Sequence, residues 1–325
     1  MDLLIVDSLE AEVMDWLHAR HELLVAPELA LDPRAFRDAL HAVRATIVPP
    51  SVTLDSQALF NAPLLRAVGR VNAGAENIDL ELCARAGIEV VRSFTATARA
   101  EAEFMIGAVL SLLRRVPAEG MESGWVGREI GAATVGLIGM APAARTTAQM
   151  LAGFGSRVVG YDPSVHANDA VWGRWKIQPL GLRELLGQSD AVCVQLNYFS
   201  RYRGLLGERL LHACKPGQVM VSIAHSELFD EAALTLALSS GRIAAAWLDS
   251  LEPGALEAHR PLSGAPNLQV TPRLASTTRE SRLRCAWAVV TRIDELLTGN
   301  PPSARGFRPT SPGVPIDLAG EPLLR

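Results

Sequence analysis

Cysteine is scarce in this chain: four residues in 325, at Cys83, Cys193, Cys214 and Cys285. They stand far apart in otherwise apolar stretches, which argues against disulfides or a thiolate metal centre. Buried reduced thiols in a cytoplasmic protein are expected instead. Long apolar runs are missing too, so no segment approaches a membrane span. The first ten residues, MDLLIVDSLE, carry acids where a secretory leader carries bases. An excess of positive charge is also absent. Thirty-one Lys and Arg against 35 Asp and Glu leave a net charge of −4, which gives no electrostatic reason to expect nucleic acid or an anionic membrane surface. The histidine pairs His18/His21 and His212/His225 lack metal-ligand spacing or carboxylate support, so no metal is expected.

What is present is enough apolar material, 49% of the chain, for two ordinary cores. Residues 2–92 alternate between short apolar runs and helical patterns. Strand-like runs fall at 3–6, 23–25, 45–48, 65–71 and 88–91, with helices near 9–19, 33–41, 53–60 and 78–86. That alternation predicts an α/β layer with a parallel sheet. A long helical pattern at 99–116 leaves this domain, and a second alternating series follows. Its later strands fall at 191–195, 219–223, 243–248 and 268–270, its helices near 181–187, 206–213 and 230–239. A last helix, near 277–298, precedes a Pro- and Gly-rich tail predicted to wrap a surface or stay partly mobile. The two long helices read as crossings. Residues 1–97 with 283–325 then form an outer domain, and 98–282 an inner domain inserted into it.

The second series opens on ATVGLIGMAPAARTTAQMLAGFGSRVVGYDP, residues 133–163. An apolar run ends at Gly139, a helical pattern follows, and a second apolar run ends on Asp162. Strand, tight turn, helix, strand and terminal acid are the order of a βαβ mononucleotide-binding unit, with Asp162 placed to bond a ribose hydroxyl. The turn departs from G-x-G-x-x-G: it reads Gly139-Met140-Ala141-Pro142-Ala143-Ala144. Alanine methyls crowd the approach of a pyrophosphate, and Pro142 has no N–H to offer an anion at the helix N-terminus. Gly139, Ala141, Ala143 and Asp162 are the cofactor-side candidates, and NAD binding, if present, is expected to be weak.

With these elements placed, the chain resembles the D-2-hydroxyacid dehydrogenase family, which includes phosphoglycerate and glycerate dehydrogenases. The resemblance rests on GRVNAGAENIDLELCARAGIEVV, ARAEAEFMIGAVLSLLRRV, the long segment from LLGERLLHACKPGQVMVSIAHSELFDEAALTLALSSGRIAAAWLDSLEP, and NLQVTPRLAS, in family order and spacing over most of residues 65–298. It implies two Rossmann/flavodoxin-like domains with mainly parallel sheets, the inner one of dinucleotide-binding type. It also implies a homodimer packed through the inner domain around 99–130. Asp249 matches the family's acid near the nicotinamide. Asn72-Ala73-Gly74 matches the loop that takes the substrate carboxylate.

The catalytic positions differ. The resemblance implies an arginine that polarises a 2-oxo acid, a histidine that moves the proton and a glutamate that tunes the histidine. At these places stand His225, Arg273 and Gly254. Arginine and histidine have traded positions and the glutamate is gone, with Glu227 and Glu252 nearby in sequence. A cleft between the domains holding both side chains could still bind an anion through Arg273 and move a proton through His225. Three readings stay open. In the first, a repurposed enzyme binds a small carboxylated or keto ligand, and ordinary 2-hydroxyacid dehydrogenation is not expected. The second is an NAD-dependent oxidoreductase with His225 and Arg273 in exchanged roles. The third is a non-catalytic ligand-binding or scaffold homodimer.

Overall fold

The computed structural model describes residues 1–71, 74–114, 126–252 and 254–299. The chain divides into two compact units: Met1–Ala96 with Arg282–Arg325, and Thr97–Ser281. Among the described residues, no helix is long and apolar enough to cross a membrane, and all four cysteines are buried and free.

The outer unit is built on five short strands: β1 (Leu3–Ile5), β2 (Leu23–Val25), β3 (Ala45–Ile47), β4 (Ala67–Arg70) and β5 (Glu89–Arg92). They pair in parallel in the order β2-β1-β3-β4-β5. Between them run α1 (Ala11–His18), α2 (Pro33–Leu40), α3 (Ser56–Phe60) and α4 (Leu80–Arg85). Aspartates start three of these helices. Asp32, Asp55 and Asp79 each accept a bond from a first-turn backbone N–H, filling donors the helix cannot satisfy itself. The chain's last described helix, which joins this unit, packs Ala286, Val289, Val290 and Ile293 on the β1, β3 and β4 face. It is further held where Nε2 of His21 meets Asp294 at 2.8 Å.

The inner unit begins with the long apolar helix α5 (Ala98–Leu113). Then come β6 (Thr134–Ile138), α6 (Pro142–Phe154), β7 (Arg157–Tyr161), α7 (Ala170–Arg174), β8 (Gln178–Pro179), α8 (Leu182–Gln188) and β9 (Ala191–Val194). The series closes with α9 (Glu208–Leu211), β10 (Gln218–Ser222), α10 (Glu231–Ser239), β11 (Ile243–Leu248), β12 (Leu268–Val270) and α11 (Arg279–Thr298), the helix that crosses to the outer unit. The seven strands pair in parallel in the order β12-β11-β10-β9-β6-β7-β8. The order reverses between β6 and β9, the place at the strands' carboxyl ends where open α/β sheets bind ligands. Both faces of the sheet are covered, so its central strands β6, β9 and β10 are buried and mostly apolar. Along β9, Ala191 and Cys193 pack towards α5 and α6, while Val192 and Val194 pack towards α8 and α10, the period of two a strand imposes.

Two elements appear that the sequence did not announce. Residues 170–174 form a short helix capped by Asp169, and Trp172 is a buried core residue with its indole N–H on the His166 carbonyl at 2.9 Å. The sheet also gains β8, a two-residue strand whose run is too short to announce itself in the sequence.

Candidate functional site

The turn after β6 keeps one glycine, and the backbone needs it. Gly139 has φ +103°, and a Cβ there would lie 2.8 Å from the Gln195 carbonyl oxygen and the Leu196 nitrogen. Ala141 is the N-cap of α6 and supplies no side-chain cap, and Pro142 takes the first helical position. Proline is at home there, since that N–H has no partner within the helix, but the helix end then offers an anion one donor fewer. The methyls of Ala143 and Ala144 are buried and pack the helix onto the core shared with α5.

Asp162, at the end of β7, turns inward. Its Oδ2 accepts from the Met140 N–H at 2.7 Å, and its Oδ1 accepts from the Ser164 N–H at 2.8 Å and the Ser164 hydroxyl at 2.5 Å. A carboxylate has about four acceptor sites, so one is left for a ribose hydroxyl. Asp249, after β11, is tied more completely. Oδ1 accepts from the Thr271 hydroxyl at 2.6 Å and the Leu274 N–H at 2.8 Å, and Oδ2 from the Ala275 N–H at 2.8 Å. This buried carboxylate pins the segment that carries Arg273. Trp247 joins the same cluster. Its indole N–H donates to the Thr271 hydroxyl at 3.1 Å and its ring meets Phe104 edge-on at 5.5 Å. On the neighbouring helix, burial pushes the Glu101 carboxyl above its ordinary range, and the Asp249 charge pushes it the same way.

Arg273 itself has φ +57°, a left-handed backbone unusual for a residue with a side chain. Its N–H donates to the Asp249 carbonyl at 2.6 Å, and its Nε donates to the Ser250 hydroxyl at 3.2 Å. The side chain is exposed, and no other side-chain bond of Arg273 is found among the described residues. The two terminal nitrogens therefore form an open planar fork suited to a carboxylate or phosphate.

His225 follows β10 and is held on three sides. Its Nε2 lies 3.1 Å from Oε1 of Glu252. Its Nδ1 accepts from the Glu227 backbone N–H at 3.3 Å. An N–H can only donate, so in the neutral ring Nδ1 carries the lone pair and Nε2 the proton. The Tyr198 ring stacks on the imidazole, centroids 4.3 Å apart and planes 15° from parallel. The Tyr198 hydroxyl donates to Oε2 of Glu227 at 2.5 Å, and Arg203 pairs with the other oxygen. The tyrosine's hydrogen bond, followed by the Arg203 charge, holds the Glu227 carboxyl below its usual range, while that same bond raises the Tyr198 phenol.

The sequence offers Glu227 and Glu252 as carboxylates near enough to stand in for the missing glutamate; Glu252 is the one that pairs with the His225 ring. The segment Ser250–Leu251–Glu252 holds Arg273 at one end and His225 at the other, so both site residues hang from three consecutive positions. The Glu252 N–H also donates to the Ser226 hydroxyl at 3.1 Å, fastening that segment to the loop after β10. Gly254 has φ +79°, and a side chain there would be strained and would press on Glu257. Of the loop proposed to take a carboxylate, Asn72 and Ala73 lie outside the described residues. Gly74 sits beside the Glu76 side chain, whose oxygen would be 2.7 Å from an added Cβ.

One residue the sequence reading passed over is Gln195, directly after β9. Its side chain is buried and neither amide atom has a partner. For a dinucleotide the outline therefore fits: the glycine turn, the acid at β7, an unpaired buried amide at the reversal of strand order, and a helix end short of one N–H. Among the described residues no group of His, Cys, Asp and Glu could hold a metal ion.

Comparison with known proteins agrees with this outline. Residues 106–275 match the family model of the D-isomer specific 2-hydroxyacid dehydrogenase NAD binding domain. The chain is 33% identical over 249 residues to an (S)-sulfolactate dehydrogenase of Chromohalobacter salexigens, covering 74% of this chain and 80% of that protein. It is 32% identical over 254 residues to the D-3-phosphoglycerate dehydrogenase of Mycobacterium tuberculosis, covering 75% of this chain but only 47% of that longer protein. Among solved structures, the TT0316 protein of Thermus thermophilus superposes with a TM-score of 0.74 at 26% identity, over 92% of this chain and 97% of that one.

Proposed function

The chain belongs to the D-isomer specific 2-hydroxyacid dehydrogenase family, and from that premise we propose that it is an oxidoreductase acting on a small 2-hydroxy or 2-oxo acid, with histidine and arginine in exchanged roles. The observation that carries the reading is the His225–Glu252 pair on the segment that also holds Arg273. The family's tuned histidine is thereby rebuilt on a different strand, with Glu252 in place of the carboxylate missing at Gly254.

In this reading the Arg273 fork holds the substrate carboxylate by paired charge-assisted bonds. Nδ1 of His225 accepts the hydroxyl proton as the 2-hydroxy acid is oxidised and returns it in the reverse direction. Glu252 keeps the ring in one tautomer and stabilises the imidazolium that forms, the part a carboxylate plays behind a catalytic histidine. The Glu227 N–H yields its weak 3.3 Å bond to Nδ1 as the proton arrives. Gly139, Ala141, Ala143 and Asp162 would hold a nicotinamide dinucleotide, with Asp249 fixing the adjoining loop. When bound, that cofactor supplies the acceptor or donor of the hydride. Asp162 disfavours a 2′-phosphate, so NAD is preferred over NADP. Pro142 keeps the affinity low.

The test is turnover of a panel of short 2-oxo acids with NADH. His225→Asn should lower kcat by about 10²–10⁴-fold while leaving ligand affinity near the native value. Arg273→Lys should raise KM far more than a surface substitution does, because a lysine cannot reproduce the fork. Native turnover in the His225→Ala, Arg273→Ala double variant would sink the reading. The reading extends to a homodimer packed through residues 99–130; a monomeric mass by light scattering at micromolar concentration would remove that part.

A further inference from the structure

Gln195 is the one buried amide, among the described residues, whose nitrogen and oxygen both lack a partner. Its side chain is 5% exposed. An amide left this way is costly, because it gives up its bonds to water and gains none. Groups in that condition call for a specific explanation, and its place in the sheet supplies one.

The backbone of Gln195 is locked to the glycine turn. Its N–H donates to the Ile138 carbonyl at 2.9 Å, extending the β6–β9 ladder by one residue. Its carbonyl oxygen is the atom that leaves room at Gly139 for a hydrogen only. Alternation along β9 continues through it: Ala191 and Cys193 lie on the α6 side of the sheet, and Leu196 lies with the opposite cluster. The Gln195 side chain is thereby on the α6 side, the face that also carries Met140 of the turn. It stands at the point where the strand order reverses.

We propose that the Gln195 carboxamide is a dinucleotide-binding group that serves the nicotinamide-side ribose and the adjoining phosphate. This rests on the dinucleotide reading above. Asp162 follows β7 and Gln195 follows β9, with β6 between them. Adjacent strands are about 4.8 Å apart, so the two residues are separated by roughly 10 Å across the crevice. If Asp162 takes the adenosine ribose and the end of α6 takes the pyrophosphate, the amide meets the far half of the molecule. A carboxamide offers both a donor and an acceptor, which suits a phosphate oxygen beside a ribose hydroxyl. It also offsets in part the N–H that Pro142 removes.

The test compares Gln195→Leu and Gln195→Met with the native protein, in thermal melting without ligand and in calorimetry with NADH and with AMP. Because the amide has no partner in the free protein, both variants should melt about 2–4 °C higher. The dissociation constant for NADH should rise roughly tenfold. The constant for AMP, which reaches only the Asp162 side, should not move. Melting points that fall in both variants would mean that the amide is satisfied within the fold, which overturns the proposal. So would an unchanged NADH affinity, or an equal loss for AMP. Failure of the native protein to bind NADH removes the dinucleotide reading and this inference with it. Native binding that both variants retain removes this inference alone.

Discussion

On the proposed reading, the carboxyl edge of the inner sheet has two halves that depart from the family in opposite ways. On the β6–β7 side, groups have been lost without replacement. Pro142 contributes no N–H, Asp162 keeps one acceptor position after bonding the Met140 and Ser164 donors, and Gln195 has no partner within the protein. On the β10–β12 side, the residues have changed identity yet each is partnered anew. His225 has Glu252, the Glu227 N–H and the Tyr198 ring, and Arg273 is held by Ser250 and by the segment Asp249 pins. Charged groups whose neighbours change are re-paired within the protein, because an unpaired charge near a sheet edge costs stability as well as function. On the proposed reading, the cofactor half is weakened by the N–H that Pro142 removes and the proton-transfer half is rebuilt around His225 and Glu252.

The comparison breaks first at Asp249. If its carboxylate is the anchor of the rebuilt half, Asp249→Ala removes the acceptor for three donors, one of them the buried Ala275 N–H. Urea unfolding should show a loss of roughly 2–4 kcal/mol. A loss within a few tenths would mean that the Arg273 segment stands without it. Asp190, at the opposite edge of the same sheet, is the control. It accepts from Arg128 at 2.7 Å, from the Thr134 N–H at 2.9 Å and from Lys215, and Arg128 and Lys215 outweigh burial to hold its carboxyl at about 2. Its folded value is below the ordinary 3.8, so its stabilisation is complete above that pH and disappears as pH falls from about 4 to about 2. Asp190→Asn should cost about 1–3 kcal/mol at pH 7 and flatten the acid limb of the stability curve. An unchanged acid limb would deny Asp190 that part. On the weakened side, Pro142→Ala returns one N–H to the end of α6. Calorimetry should find NADH bound about tenfold more tightly, near 1.4 kcal/mol.

The contrast also sets what the sequence could disclose. Strands, helices and their parallel order were legible because apolar periodicity is local and each run carries its own signal. The family showed through blocks of sequence in order, and the trade of His225 for Arg273 showed as a substitution within them. The partners showed only in part. Glu227 and Glu252 both stood out as nearby carboxylates, but nothing in the sequence chose Glu252 to pair with the ring, and Tyr198, 27 residues before His225, is linked to it by no periodicity. Gln195 looked like the last residue of an apolar strand, which it nearly is. Its burial without a partner is a property of the packed sheet. The five-residue helix that carries Trp172 is too short to show a pattern.

The smallest effect tests the rebuilt half most closely. Tyr198→Phe keeps the ring that stacks on His225 and removes only the hydroxyl that donates to Glu227. The site is partly open to water, so the loss of stability should stay below about 1 kcal/mol. The consequence for chemistry is more informative. Without the tyrosine's bond, the Glu227 carboxyl moves back up towards its usual range, since that bond is the largest cause of its lowering. Arg203 still pairs with it, so the shift is partial. The Glu227 backbone then sits less firmly, and with it the N–H that fixes the lone pair on Nδ1 of His225. Nitrogen chemical shifts of the ring, followed through a pH titration, should show a mixture of tautomers in Tyr198→Phe where the native protein shows one. Turnover should fall by a few-fold, in kcat rather than in KM, because the ring is mispositioned while the Arg273 fork is untouched. Tyr198→Ala, which also removes the stacked ring, should do the same to a greater degree. If neither variant alters the tautomer, Glu252 alone orients His225 and the tyrosine is packing.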